Sequence, residues 1–146
     1  MVGLVDGGYK HVLVLIDDVS RFVLLKEAVS CSMEVAVRFV LKWCASSRVP
    51  KAFTGDVGTH FTGQVMRMVS SRLGVVHNVG VVNISRSPGA LERMKREVVK
   101  TFRAVHSERR RPPSEWPLAL EPVQWALNSV YWERMGTTPF QMMTGR

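Results

Sequence analysis

Apolar and polar positions alternate from Lys10 and then run apolar to Ile16, as in a strand that passes from half-buried to buried. Asp17-Asp18-Val19-Ser20 supplies a turn, and Arg21 to Lys26 returns as a second strand. The period then changes. Ala36, Phe39, Val40, Trp43 and Cys44 recur at helical spacing, which predicts a helix over Met33–Ala45 with Ser32 as its N-cap and Pro50 breaking the chain beyond it. Lys51-Ala52-Phe53-Thr54 reads as a short strand that delivers Asp56 to its C-terminal end. Thr62 can cap a helix through Leu73, with Val65, Met66, Val69 and Leu73 inward and Gly74 as the stop. Val75 to Val82 reads as another strand, and the loop Asn83 to Pro88 leads into a helix reaching about Ser107. Ser114, with Glu115 in the first turn, opens a last long helix to about Glu133. Gly136-Thr137-Thr138-Pro139 interrupts it, and Thr138-Pro139 caps a short closing helix.

Strands followed by alternating helices and strands make an α/β chain. At 146 residues it has the size of one domain, residues 1–146, with the Pro-rich and Arg-rich stretch 108–114 as the one internal break candidate. An apolar share of 46% suits a folded core and argues against disorder. No apolar run approaches the roughly 18 residues that span a membrane, and Met1 to Val5 lacks a basic leader. The expectation is therefore an intracellular protein with no membrane partner. Cys31 and Cys44 have no C-x-x-C spacing, so neither a zinc site nor a disulfide framework is supported, and Cys44 beside Trp43 reads as a buried thiol.

Charge changes the picture more than composition does. The net charge of +8 favours a polyanion, and clustering favours nucleic acid over an anionic membrane surface. From Ala90 to Arg111, the basic residues Arg93, Lys95, Arg96, Lys100, Arg103, Arg109, Arg110 and Arg111 outnumber Glu92, Glu97 and Glu108. Glu92 lies just inside this basic helix, and Asp56 opens the polar turn that runs to Phe61. A carboxylate at a strand end and another on a helix can converge at a sheet edge and hold a divalent cation, whose open positions take phosphate and water.

The wording around these two carboxylates is similar to that of retroviral and retrotransposon integrase catalytic cores, closest to the gypsy type. The segment from Gly8 to Phe22 resembles the family's "GYKYVLVLIDDFSRF" hairpin. Asp56 to Thr62 resembles "DQGTHFT", and Gly89 to Glu97 resembles "GLVERMNRE". Trp125 to Asn128, Gly136 to Phe140 and the closing Gly145-Arg146 resemble "YALN…GTTPFE…GR". The landmarks stand in the family's order, with thirty-five residues between Asp56 and Glu92.

The resemblance implies a ribonuclease H-like fold, a mixed sheet flanked by helices. It implies Mg2+ or Mn2+ held by Asp56 and Glu92, with metal-dependent strand transfer of DNA in the nucleus. Lys95, Arg96 and Lys100, together with Thr59 and His60, would meet the DNA; Thr59 and His60 read equally well as turn and cap residues. Self-association is left open. Two departures stand out. The family's first catalytic aspartate falls near Gly3 or before Met1, where no carboxylate stands, and Asp6 and Asp17 read as turn or strand-end residues. The first strand is accordingly expected to be short or missing, the chain N-terminally truncated, of marginal stability alone and inactive. The loop before Glu92 reads Ile84-Ser85-Arg86-Ser87-Pro88 where the family has "HPQSN", which places a proline at the helix entry. The alternative is a non-catalytic nucleic-acid-binding remnant of a retrotransposon polyprotein. A ribonuclease H acting on RNA–DNA hybrids would share the fold but lacks the motif wording.

Overall fold

The computed structural model describes residues 8–47, 49–55, 64–79, 88–108 and 112–145, of which 53–55, 64–66, 77–79 and 88–91 are described by backbone alone. They fall into two compact units, one drawn from Met1–Val29 and Gly89–Arg146, the other from Ser30–Pro88.

In the first unit, strands β1 (His11–Ile16) and β2 (Val23–Ala28) pair antiparallel, from His11 opposite Ala28 to Ile16 opposite Val23. The expected turn is present, but it needs more residues than Asp17 to Ser20. Asp17 N–H donates to Phe22 C=O at 2.9 Å, and Ser20 donates both its N–H and its Oγ–H to Asp17 Oδ2, each at 2.7 Å. Arg21 takes a left-handed φ of 60° to close the loop, which excludes it from a strand. The second strand therefore begins at Val23, two residues later than the alternation predicts.

Val23 and Leu25 point from β2 into a core shared with Met94, Val98, Leu120 and Val123, with Ile16, Phe102, Val105, Trp116 and Leu127 packed around it. Met94, Val98, Phe102 and Val105 form one face of α3 (Pro88–Glu108). Burying each of these large side chains contributes about 1.5–3 kcal/mol where burial is complete. The ring of Phe102 meets Trp116 edge-on at 6.4 Å and stacks on His106 at 5.8 Å, which ties the end of α3 to the segment that follows.

The expected long helix from Ser114 is two pieces. Pro113–Ala119 forms a 3₁₀ helix, and α4 covers Leu120–Ser129. Pro117 has no N–H to give, and its ring would collide with the carbonyl four residues back, so an α-helix cannot run through it. Val130 then turns extended, and Trp132 and Thr137 form an isolated bridge around a tight turn. Helix α5 (Pro139–Thr144) opens as expected at Thr138-Pro139, with a capping box completed by Gln141.

The second unit carries α1 (Met33–Ser46), capped by Ser32 as predicted, with Ala36, Val37, Phe39, Val40 and Trp43 buried. Cys44 is half-buried. Strand β3 (Ala52–Gly55) pairs parallel with β4 (Val76–Val79), Ala52 opposite Val76, and α2 (Gln64–Arg72) connects them. After α2, Gly74 adopts φ 66°, Val75 N–H returns to Ser70 C=O and Gly74 N–H to Ser71 C=O. This is the paired C-cap that glycine permits. The continuation of β4 to Val82 and the loop to Ser87 lie outside the described residues, as does Met1 to Gly7, where the first strand was expected.

Candidate functional site

Helix α3 separates its two jobs by face. While Met94 and Val98 turn into the core, Glu92, Lys95, Arg96, Val99, Lys100 and Arg103 are exposed and line a shallow groove of about 390 Å3. Their spacing of three, four, seven, eight and eleven from Glu92 is the spacing of one helical stripe. Pro88 opens the helix at its first position, where the missing N–H costs nothing. The groove thus has one carboxylate at its head and four cations along it, a field that concentrates phosphate groups and is screened only over about 8–10 Å at ordinary salt.

The sequence-predicted residues divide clearly. Glu92, Lys95, Arg96 and Lys100 are brought together on this face. Strand β3 ends at Gly55, the residue before Asp56, and Asp56, Thr59 and His60 lie outside the described residues. Two groove residues were not singled out from sequence, Val99 and Arg103. The signal was available, since both continue the period from Glu92, but Val99 carries no charge and Arg103 was counted only as part of a basic run.

Asp17 is engaged in its own loop, where Oδ2 accepts from both the backbone and the hydroxyl of Ser20, and Asp18 pairs with Arg21 at 3.1 Å. Both are turn residues in this geometry. Burial raises the Cys44 thiol above its ordinary value, against a smaller lowering by a backbone hydrogen bond, so it is a poor nucleophile. Among the described residues, no group of three or more His, Cys, Asp or Glu side chains could hold a metal ion. Glu92 by itself is a hard oxygen donor of the kind magnesium takes, and it is exposed to receive one. No described helix is long and apolar enough to cross a membrane.

No family model matches the chain. In solved structures, the catalytic core domain of BIV integrase superposes with a TM-score of 0.77, covering 92% of this chain and 85% of that one at 19% identity. The HTLV-2 integrase catalytic core domain, solved in complex with magnesium, gives 0.74, covering 89% and 82% at 17% identity. The fold is that of a retroviral integrase core. Sequence points the same way. The Pro-Pol polyprotein of simian foamy virus type 3 is 29% identical over 140 residues, which is 96% of this chain and 12% of the polyprotein. The integrase-core likeness drawn from the motifs is thus borne out in sequence and in fold, for a chain that spans about an eighth of that viral relative.

Proposed function

We propose that this chain is the integrase core-like domain of a retroelement polyprotein, which binds DNA along α3 and takes part in metal-dependent phosphodiester strand transfer in the nucleus. The observation that carries the reading is the exposed face of α3, where Glu92 heads a groove of four cations. The motif resemblance assigns Asp56 and Glu92 as the two metal-ligating carboxylates. Magnesium or manganese held there would activate water or a DNA 3′-hydroxyl for in-line attack and stabilise the leaving oxygen. Lys95, Arg96, Lys100 and Arg103 would position the phosphates, with Thr59 and His60 beside Asp56. Self-association of the chain belongs to the same reading.

In a second form of this reading, the chain binds DNA and cleaves little or none. The engagement of Asp17 within its loop favours this second form, binding without chemistry, because that carboxylate is already committed to Ser20. Two measurements test the pair. Manganese binding followed by electron paramagnetic resonance should weaken in Asp56→Asn and Glu92→Gln; equal binding in both variants and the parent chain would remove the metal assignment. Metal-dependent nicking of a duplex oligonucleotide supports the catalytic form, whereas salt-sensitive binding without cleavage supports the remnant.

A further inference from the structure

One apolar side chain stands among the charges on the outward face of α3. Val99 is 48% exposed and lines the same groove as Glu92, Lys95, Arg96, Lys100 and Arg103. Helix propensity does not account for it, since a β-branched residue is a weaker choice than alanine or a straight-chain residue on a solvated face. Nor does core packing, because the residue faces away from Met94 and Val98. At a rise of 1.5 Å per residue, Lys95 and Arg96 stand roughly 4–6 Å before Val99 along the axis, and Lys100 and Arg103 roughly 1–6 Å beyond it. Along the groove the order is cation, apolar group, cation. A nucleic-acid strand carries the matching order of phosphate, sugar, phosphate.

From this juxtaposition we infer that Val99 is a specificity-determining residue that reads the sugar. It lies against the C2′ side of a nucleotide whose flanking phosphates are held by the surrounding cations, and it makes the groove favour deoxyribose over ribose. The inference rests on the nucleic-acid reading above and deepens it. A 2′-hydroxyl pressed against the isopropyl group loses water and gains no partner, because Val99 has no polar atom to offer. The C2′ methylene of deoxyribose leaves water favourably in the same place. The 2′-hydroxyl is the group by which a protein distinguishes RNA from DNA at a given site. The cations hold both polymers alike, and Val99 supplies the difference between them.

The test uses the full chain without divalent metal at low salt, with fluorescently labelled single strands of one uracil-containing sequence made in deoxyribose and in ribose, so that only the 2′-hydroxyl differs. Binding is read by anisotropy. The parent chain should prefer the deoxyribose strand by roughly fivefold, the low end of an uncompensated hydroxyl penalty at a half-exposed site. Val99→Thr keeps the side-chain shape but supplies a hydroxyl partner, and should bring the ratio close to one with deoxyribose binding retained. Val99→Leu, which stays apolar, should keep the preference. An unchanged ratio in Val99→Thr overturns the inference and leaves the nucleic-acid reading standing. Absence of salt-sensitive binding to either strand overturns that reading, and the inference with it.

Discussion

Val23 presents one N–H and one C=O on the edge of β2 that faces away from β1, and the carboxamide of Asn128 takes both. Val23 N–H donates to Asn128 Oδ1 at 2.8 Å, and Asn128 Nδ2–H donates to Val23 C=O at 2.8 Å. One turn earlier on α4, Gln124 Oε1 accepts from Leu25 N–H at 2.8 Å. Two side chains at helical spacing thus serve this part of the strand edge as a neighbouring strand would, taking up Val23 N–H, Val23 C=O and Leu25 N–H. Asn128→Ala should cost roughly 2–4 kcal/mol in urea unfolding, because it strands a buried donor and a buried acceptor at once. It should also speed amide exchange at Val23 more than at Leu15, whose N–H the hairpin ladder turns toward β2. A loss below about 1 kcal/mol would show that water or a shifted backbone satisfies Val23 instead. None of this was legible in the sequence. Asn128 was noticed as part of a motif, yet its work depends on a strand 105 positions away. The place of Glu92 among cations was legible for the opposite reason, since it is set by neighbours on the same helix.

Among the elements, those governed by local rules came through intact. Ser32, Gly74 and Thr138 cap or stop helices where they were expected to, because a cap is decided within about four residues. The misplaced boundaries have local causes of another kind. Arg21 had to turn left-handed, which no alternation of apolar residues reveals, and Pro117 converted the front of a helix into a 3₁₀ turn. Helix α3 lies where the sequence placed it, reaching to about Ser107, and its outward face carries a prediction of its own. If Lys100 and Arg103 each neutralise a phosphate, the slope of log binding constant against log salt should fall by about 0.7–0.9 for each residue changed to Ala. Substituting Glu108, which is exposed on α3 but not among the groove residues, should leave the slope unchanged. A slope that survives the loss of both Lys100 and Arg103 would move the phosphate contacts off this groove.

Across the whole molecule, the α/β class and the integrase-core fold were legible because four motif landmarks fix strand and helix order along nearly all of the chain. The hairpin of β1 and β2 was legible too, whereas the parallel pairing of β3 with β4 was not. The described strands form two separate pairs, β1 with β2 antiparallel and β3 with β4 parallel. The alternation of an antiparallel ladder turns the N–H groups of Val12, Val14 and Ile16 away from β2. No described strand pairs that edge, where Val12 and Val14 are 38% and 39% exposed. The residues expected to form a short first strand lie outside those described.

The amide seal on β2 also sets a clock. Translation emits Val23 long before the residue that closes its edge, and at roughly 5–20 residues per second the hairpin waits about 5–20 s for Asn128 to be made. Throughout that interval the nascent hairpin has a sticky flank, and a crowded polysome holds many copies of it side by side. Ribosome-stalled chains ending just short of α4 should therefore be digested within β2 and recruit holdase chaperones, while chains long enough to release α4 from the tunnel should do neither. If both lengths resist digestion equally, the hairpin shelters itself without help from the far end of the polypeptide.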